Sequence, residues 1–340
     1  MIRGKKELLA RCLASSAATF VLRQLPARDS LLVLNYHRIG NRDDDPFDPG
    51  VFSATTEQLD EQLGYLKRHV SLVTLEEALA FASGGIRETK ARCRVLITFD
   101  DGYLDSYRDA YPVLRSHGIQ GVFFVPTSLV GSSAIPWWDH VAYTLKSARK
   151  RRFHLRYPID LDVDLDANGL TQSLRDVLKV CYRPDNTDSA RFLDELAEEA
   201  NGDHPHEAQR RFLDWKEASE MLHGGMAFGS HTHSHQVLSQ LGPQQQRNEL
   251  ARSRAELQDR LGVSIDAISY PVGLRTSFTA QTLDLAKDVG YRGGFSYYGG
   301  TNRRGSTQCL DIRRVGVGDE SSTRFQVQAA VCRISGSFWP

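Results

Sequence analysis

The chain has 340 residues, room for one large barrel domain or two ordinary ones. Its 42 Lys and Arg balance its 42 Asp and Glu, which argues against a dedicated nucleic-acid binder and against an acidic disordered tail. Five widely spread cysteines with no CxxC pair argue against a disulfide framework or a zinc ribbon and fit a reducing compartment.

Residues 1–30 begin with Arg3, Lys5 and Lys6 and continue into a mildly apolar run from Leu13 to Leu22. Leu8, Leu9, Cys12, Leu13, Ala17 and Phe20 recur at helical spacing, so an amphipathic helix is expected there rather than a signal peptide. Such a helix could rest on the protein or on a membrane surface, and it is too short to span one. The expected location is cytoplasmic, peripheral to the inner face of the membrane, with an exported form as the weaker alternative.

Leu31 to Asn35 is a short apolar run that predicts a buried strand, with Tyr36 and His37 at its end. Thr56 to Arg68 has helical spacing through Leu59, Leu63 and Leu66. Ser71 to Val73 predicts a short strand. Thr74 then caps a helix, with Glu77 at the capping-box position. Val95 to Phe99 predicts a strand ending in Asp100, Asp101 and Gly102. A helix with Tyr107, Tyr111 and Leu114 on one face follows, then a strand at Val122 to Val125. Strands alternating with helices predict a parallel sheet with helices outside it.

Residues 140–206 break this rhythm and read as a helical insertion within a catalytic domain spanning 31–335. A basic run, Lys146 to Arg156, stands at its start and most often marks a solvated face. Asp160 to Asp166 alternates acidic and apolar residues, and helices are expected near Thr171 to Tyr182 and Ser189 to Ala200. The alternating pattern resumes with a helix from Trp215 to Leu222 and a strand from Met226 to Phe228. A helix from Pro243 to Leu261, a strand from Ile265 to Tyr270, a helix from Leu283 to Val289 and a strand from Tyr291 to Ser296 complete it.

Three segments at predicted strand ends carry chemistry. Asp100 and Asp101 are adjacent carboxylates after a buried strand, costly unless a partner such as a metal ion compensates them; an N-cap role for one of them is the plain alternative. His231, His233 and His235 fall within five residues. His231 and His235 could share one face of a helical turn, whereas His231 with His233 would form a strand-borne His-x-His site of a different hydrolase class. Ser269-Tyr270-Pro271-Val272-Gly273 is a preset turn able to aim a backbone N–H into a cleft. Two histidines and one carboxylate leave an open metal position for water, and the second carboxylate can serve as general base.

These residues resemble the motifs of the polysaccharide deacetylases with a chitooligosaccharide-deacetylase homology domain, carbohydrate esterase family 4. Thr98-Phe99-Asp100-Asp101-Gly102 matches the first motif in full, and His231, Thr232 and His235 match the second. The resemblance covers roughly 31–139 and 212–318 and implies a distorted (β/α) barrel of about seven parallel strands. It implies removal of N-acetyl groups from N-acetylhexosamine units of a polysaccharide or oligosaccharide, in exopolysaccharide or cell-envelope metabolism. By this resemblance Asp100 is the general base, and Asp101, His231 and His235 hold a divalent metal: zinc first, with cobalt, nickel, iron or manganese as alternatives. Thr232 braces the histidine loop, and the Val272 N–H holds the oxyanion beside Pro271 and Tyr270.

The chain departs from the family in two places. Ser269 stands where an arginine that orients the base is usual, which leaves Arg313 or Arg314 as substitutes. The late Leu-x-His motif is absent near the C terminus. Tyr36-His37 instead matches a branch resembling poly-N-acetylglucosamine deacetylases, in which His37 would be the general acid. Trp138 and Leu238 are candidate substrate contacts. The rivals are an amidohydrolase of another class acting on a small amide, and a catalytically idle glycan-binding homologue.

Overall fold

The computed structural model describes residues 29–85, 93–205, 209–305, 308–318 and 321–335. The expected N-terminal helix lies outside the described residues. The strands are β1 (Ser30–Tyr36), β2 (Arg38–Ile39), β3 (Phe52–Ala54), β4 (Ser71–Leu72), β5 (Cys93–Phe99), β6 (Gly121–Val125), β7 (Arg152–Leu155), β8 (Leu161–Asp164), β9 (Ala227–Ser230), β10 (Ala267–Ser269), β11 (Gly293–Ser296), β12 (Ile312–Arg313) and β13 (Val315–Gly316).

The main sheet runs β12-β11-β10-β9-β6-β5-β1-β13, with β4 pairing on β5. The pairings within it are parallel. β12 and β13 stand at opposite ends of this order, yet only Arg314 separates them in the chain, so the sheet nearly closes into a barrel. The expectation of about seven strands becomes eight along this path, because one segment, 312–316, breaks at Arg314 into two short strands.

β1, β5 and β6 are buried along their whole length, as expected of strands with the sheet around them and helices outside. Flanking helices are started by capping boxes at Thr55, Thr74, Asp214 and Thr279, each satisfying otherwise orphaned backbone donors. A C-terminal helix, Ser322–Ser335, packs Phe325, Ala329 and Cys332 into the main core. Its weak amphipathic pattern gave no sequence signal. No described helix is long and apolar enough to cross a membrane.

Between β6 and β9 the chain builds a second apolar cluster that includes Leu145, Leu155, Val177, Leu196 and Phe212. The sequence led to the expectation of a helical insertion, but the segment also contains strands. Helices Trp137–Lys146, Gly169–Cys181 and Ser189–Ala200 surround an antiparallel β7–β8 pair. The alternation at Asp160 to Asp166 is that of a half-buried strand, with Val163 and Leu165 inward. The basic run is locally neutralised: Arg149 pairs with Asp203, Arg151 with Asp166, Arg152 with Asp164 and Arg156 with Glu199. It is a solvated, ion-paired face.

Candidate active site

Parallel strands put all their C-terminal ends on one face, and there the chemistry gathers. Thr98 and Phe99 on β5 lie beside Asn35 and Tyr36 on β1. Asp100 and Asp101 therefore emerge next to His37. Ser230 ends β9 beside Val125 and Ile268, which brings His231 to the same mouth.

Asp101, His231 and His235 are all buried, and one potential ligand atom from each lies within 4.8 Å of the others. The Nε2 atoms of His231 and His235 are each 3.4 Å from Asp101 Oδ1. Ligands bonded at ~2.0–2.2 Å in a tetrahedral site stand roughly this far apart. His231 Nδ1 lies 2.7 Å from the Ser269 carbonyl, so it carries the proton and Nε2 keeps the lone pair that a metal needs. The donor set thus fits a borderline divalent cation. Burial would raise the Asp101 pKa, yet the imidazoles of His231 and His235 beside it hold it well below the ordinary carboxylate range. For His235, burial wins and lowers the pKa of the imidazole.

His233 does not join the group. Its Nδ1 lies 2.8 Å from Thr127 Oγ1, so the His-x-His arrangement is not assembled. Thr232 does brace the loop: its Oγ1 accepts from the His235 N–H at 3.1 Å. Sequence reasoning missed Glu249, whose carboxylate accepts from the N–H groups of His233 and Ser234 and from the Ser234 hydroxyl.

Asp100 is held by Arg314. The guanidinium is fully buried and donates to Oδ1 at 2.8 Å and to Oδ2 at 2.7 Å. Oδ2 also accepts from Asn35 Nδ2 at 3.1 Å and from Ser269 Oγ at 3.2 Å. Oδ1 has the Arg314 bond alone among these partners and so retains a lone pair. Burial favours the neutral acid, but Arg314 outweighs it and the Asp100 pKa falls below its ordinary value. Of the two arginines the sequence offers, Arg314, at the β12–β13 break, is the one that pairs with Asp100. Arg313 is exposed instead, with its guanidinium over Tyr298. Asn35 carried a legible signal, since a lone amide inside an apolar strand demands a buried partner.

A cavity of about 200 Å³ opens over these groups, lined by His37, Asp100, Asp101, Trp138, His231, His235, Val272 and Tyr297 among others. The His37 ring stands edge-on to Tyr297 with centroids 5.6 Å apart. The Trp138 ring packs on His235 at 4.2 Å, with its indole N–H donated to the Tyr103 hydroxyl at 2.7 Å. Leu238 is buried in the main core and does not line the cavity. Tyr270 and Pro271 are buried behind it, Tyr270 donating to the Leu310 carbonyl at 2.9 Å. Leu274, Tyr182 and Leu178 line the cavity without a motif to announce them.

Among the described residues, five non-glycine residues have left-handed backbone, and four are here: Asp101, Thr232, His235 and Val272. The fifth, Asn201, ends the Ser189–Ala200 helix. For β-branched Val272, with φ of 64°, this conformation is a genuine outlier. The Val272 N–H bonds no acceptor among the described residues. Gly273 follows because a Cβ there would sit 2.6 Å from Tyr297 Cβ and 2.7 Å from its backbone nitrogen.

Comparisons with known proteins agree with this geometry. The family model for polysaccharide deacetylases matches residues 87–294. A putative polysaccharide deacetylase of Bacillus subtilis, YxkH, is 26% identical over 200 residues, covering 59% of this chain and 43% of the relative. The poly-β-1,6-N-acetyl-D-glucosamine N-deacetylase of Staphylococcus epidermidis is 30% identical over 118 residues, covering 31% of this chain and 39% of the relative. The chain thus spans less than half the length of these curated relatives. Two solved structures share the fold at a TM-score of 0.57. One is the Streptococcus pyogenes deacetylase PplD with acetate, 19% identical, covering 92% of this chain and 99% of that one. The other is IcaB from Ammonifex degensii, 22% identical, covering 90% and 100%. A model match over most of the barrel, on strand ends that bring Asp101, His231 and His235 together, places the chain in the polysaccharide deacetylase family.

Proposed function

We propose that this chain is a metal-dependent hydrolase that removes acetyl groups from N-acetylhexosamine units of an exopolysaccharide or related envelope glycan. The observation that carries the reading is the pairing of a metal-fitting triad, Asp101, His231 and His235, with a neighbouring carboxylate, Asp100, kept ionised by Arg314. The staphylococcal relative's named substrate, a poly-N-acetylglucosamine, supports the choice of glycan.

A divalent cation on the triad, zinc foremost, would supply a Lewis acid that acidifies water and polarises the acetamide carbonyl. Asp100 accepts the proton of the attacking water through Oδ1. The Val272 N–H donates to the oxygen on which negative charge develops. His37 gives a proton to the nitrogen as the C–N bond breaks. The products are acetate and a free amine. Trp138 and Tyr297 form the apolar walls against which a sugar ring and its acetyl methyl can pack.

The test is acetate release from N-acetylglucosamine oligomers and from a panel of cell-derived glycans, with and without chelator. Chelator-sensitive release that is lost in Asp100→Asn is expected. Release indifferent to both sinks the mechanism. A peripheral membrane seat at the cytoplasmic face, through residues 1–30, belongs to the same proposal and is tested by flotation with anionic vesicles.

A further inference from the structure

A second cavity of about 290 Å³ lies beside the first, and Trp137 borders both. The indole is fixed on the side of the metal triad: its N–H donates to the His235 carbonyl at 3.3 Å, and Tyr182 meets its ring edge-on at 5.8 Å. One bank of the second cavity is the chain from Asn186 into the Ser189–Ala200 helix. The other is Gln236, Val237 and Gln240, directly after the ligand His235.

The lining is amphiphilic. Phe192, Leu193 and Val237 give apolar surface, Asn186, Thr187 and Gln236 give neutral polar groups, and Asp188, whose side chain accepts from the Arg191 N–H, gives one carboxylate. Among the described residues, neither cavity is lined by lysine or arginine. Asn186 is 1% exposed, and its Oδ1 has no hydrogen-bond partner, although its Nδ2 donates to the Cys181 carbonyl at 3.4 Å. An unpaired buried amide oxygen costs on the order of 1–3 kcal/mol and points to a donor that the protein does not itself supply. A size near the lower end of ligand sites, ~300 Å³, suits a single ring rather than a length of chain.

We propose that this cavity is a subsite for the uncharged sugar next to the unit being deacetylated, with Trp137 as the shared wall and Asn186 Oδ1 accepting a hydroxyl or amide proton of that sugar. The inference rests on the deacetylase reading above and extends it. The substrate is a neutral polymer or oligomer attacked at a unit that has a neighbour. Uronic acids and other anionic neighbours are refused, because no lining cation is there to meet them.

The experiment compares the N-acetylglucosamine monomer with its β-linked dimer and tetramer on the metal-loaded full chain, in the wild type, Asn186→Ala and the near-isosteric Asn186→Asp. Wild-type kcat/KM should rise from monomer to dimer. Asn186→Ala should raise KM for the tetramer several-fold, up to about tenfold, the scale of one hydrogen bond, and Asn186→Asp, which keeps an acceptor oxygen in the same place, should raise it less; both should leave monomer kinetics and metal content unchanged. If Asn186→Ala and wild type treat the tetramer alike, or if monomer and tetramer decline together, the subsite is overturned and the deacetylase reading stands. If the metal-loaded wild type releases acetate from none of these glycans or the cell-derived panel, the parent reading fails and takes the subsite with it.

Discussion

Arg314 grips both oxygens of Asp100 from 214 residues further along the chain, at the point where the last barrel segment breaks in two. A fork of parallel N–H bonds is something a lysine cannot reproduce. Arg314→Lys is expected to fold and to lose on the order of 10²-fold in acetate release. Without the fork, burial is offset less and the Asp100 pKa rises, so the acidic limb of the pH–rate profile should move to higher pH. An unmoved limb contradicts the assignment. Arg314→Ala leaves a buried carboxylate uncompensated and should lower stability by roughly 3–5 kcal/mol, read from denaturant midpoints.

His235 and His233 are two residues apart and face different partners. His235→Ala should abolish bound metal in elemental analysis of the purified protein. His233→Ala should retain it, losing contacts with Thr127 and Glu256 that lie outside the triad. Equal metal loss in both variants would favour the His-x-His arrangement after all.

His37 is assigned the proton that goes to the leaving amine, a need that depends on the leaving group. His37→Ala should slow release from an acetamide by ~10²–10⁴-fold. On an acetyl ester of an acidic phenol, whose leaving group needs no proton, the variant should keep most of its rate. A uniform loss on both substrates would assign His37 to positioning.

Asp139 is fully buried, accepts from Tyr103 at 3.0 Å and from Arg211 at 3.1 Å, and leaves Oδ1 unpaired. Burial, only partly offset by Arg211, Arg38 and the Tyr103 hydroxyl, pushes its pKa up to about 7. The folded state therefore holds a proton that the unfolded chain has released above its ordinary value of 3.8. The resulting stabilisation is complete below about pH 4 and is lost as pH rises through about 7, with a slope on the order of 1 kcal/mol per pH unit. Asp139→Asn should flatten that slope in denaturant titrations between about pH 4 and 7. An unchanged slope assigns the pH dependence elsewhere.

Much of the barrel and the metal triad could be read from sequence because both rest on local rules. Buried parallel strands are continuous apolar runs, and Asp100, Asp101, His231 and His235 each sit where such a run stops. What could not be read depends on closure of the sheet. Arg313 and Arg314 are neighbours with the same composition around them, and only the break between β12 and β13 turns one inward and leaves the other exposed. Leu238 follows the histidines at a plausible distance, yet the 3-10 turn at Leu238–Gln240 directs it into the core. The β7–β8 pair was present as a period-two alternation, hidden by the helical stretches on either side.

The left-handed residues at the barrel mouth set stability against turnover. Each such conformation costs on the order of 1–2 kcal/mol outside glycine, against a typical total of ~5–15 kcal/mol for a folded domain. Asp101 and His235 must bear that strain if, as proposed, their side chains are ligands. Thr232 and Val272 contribute in other ways, through a bracing hydroxyl and a backbone N–H, so glycine could replace either without removing a donor atom to the cation. A search for heat-resistant variants would be drawn to those two positions. The loops it relaxed would be the ones that hold His235 and the oxyanion donor in place, so gains in thermal tolerance at this mouth should come with slower chemistry.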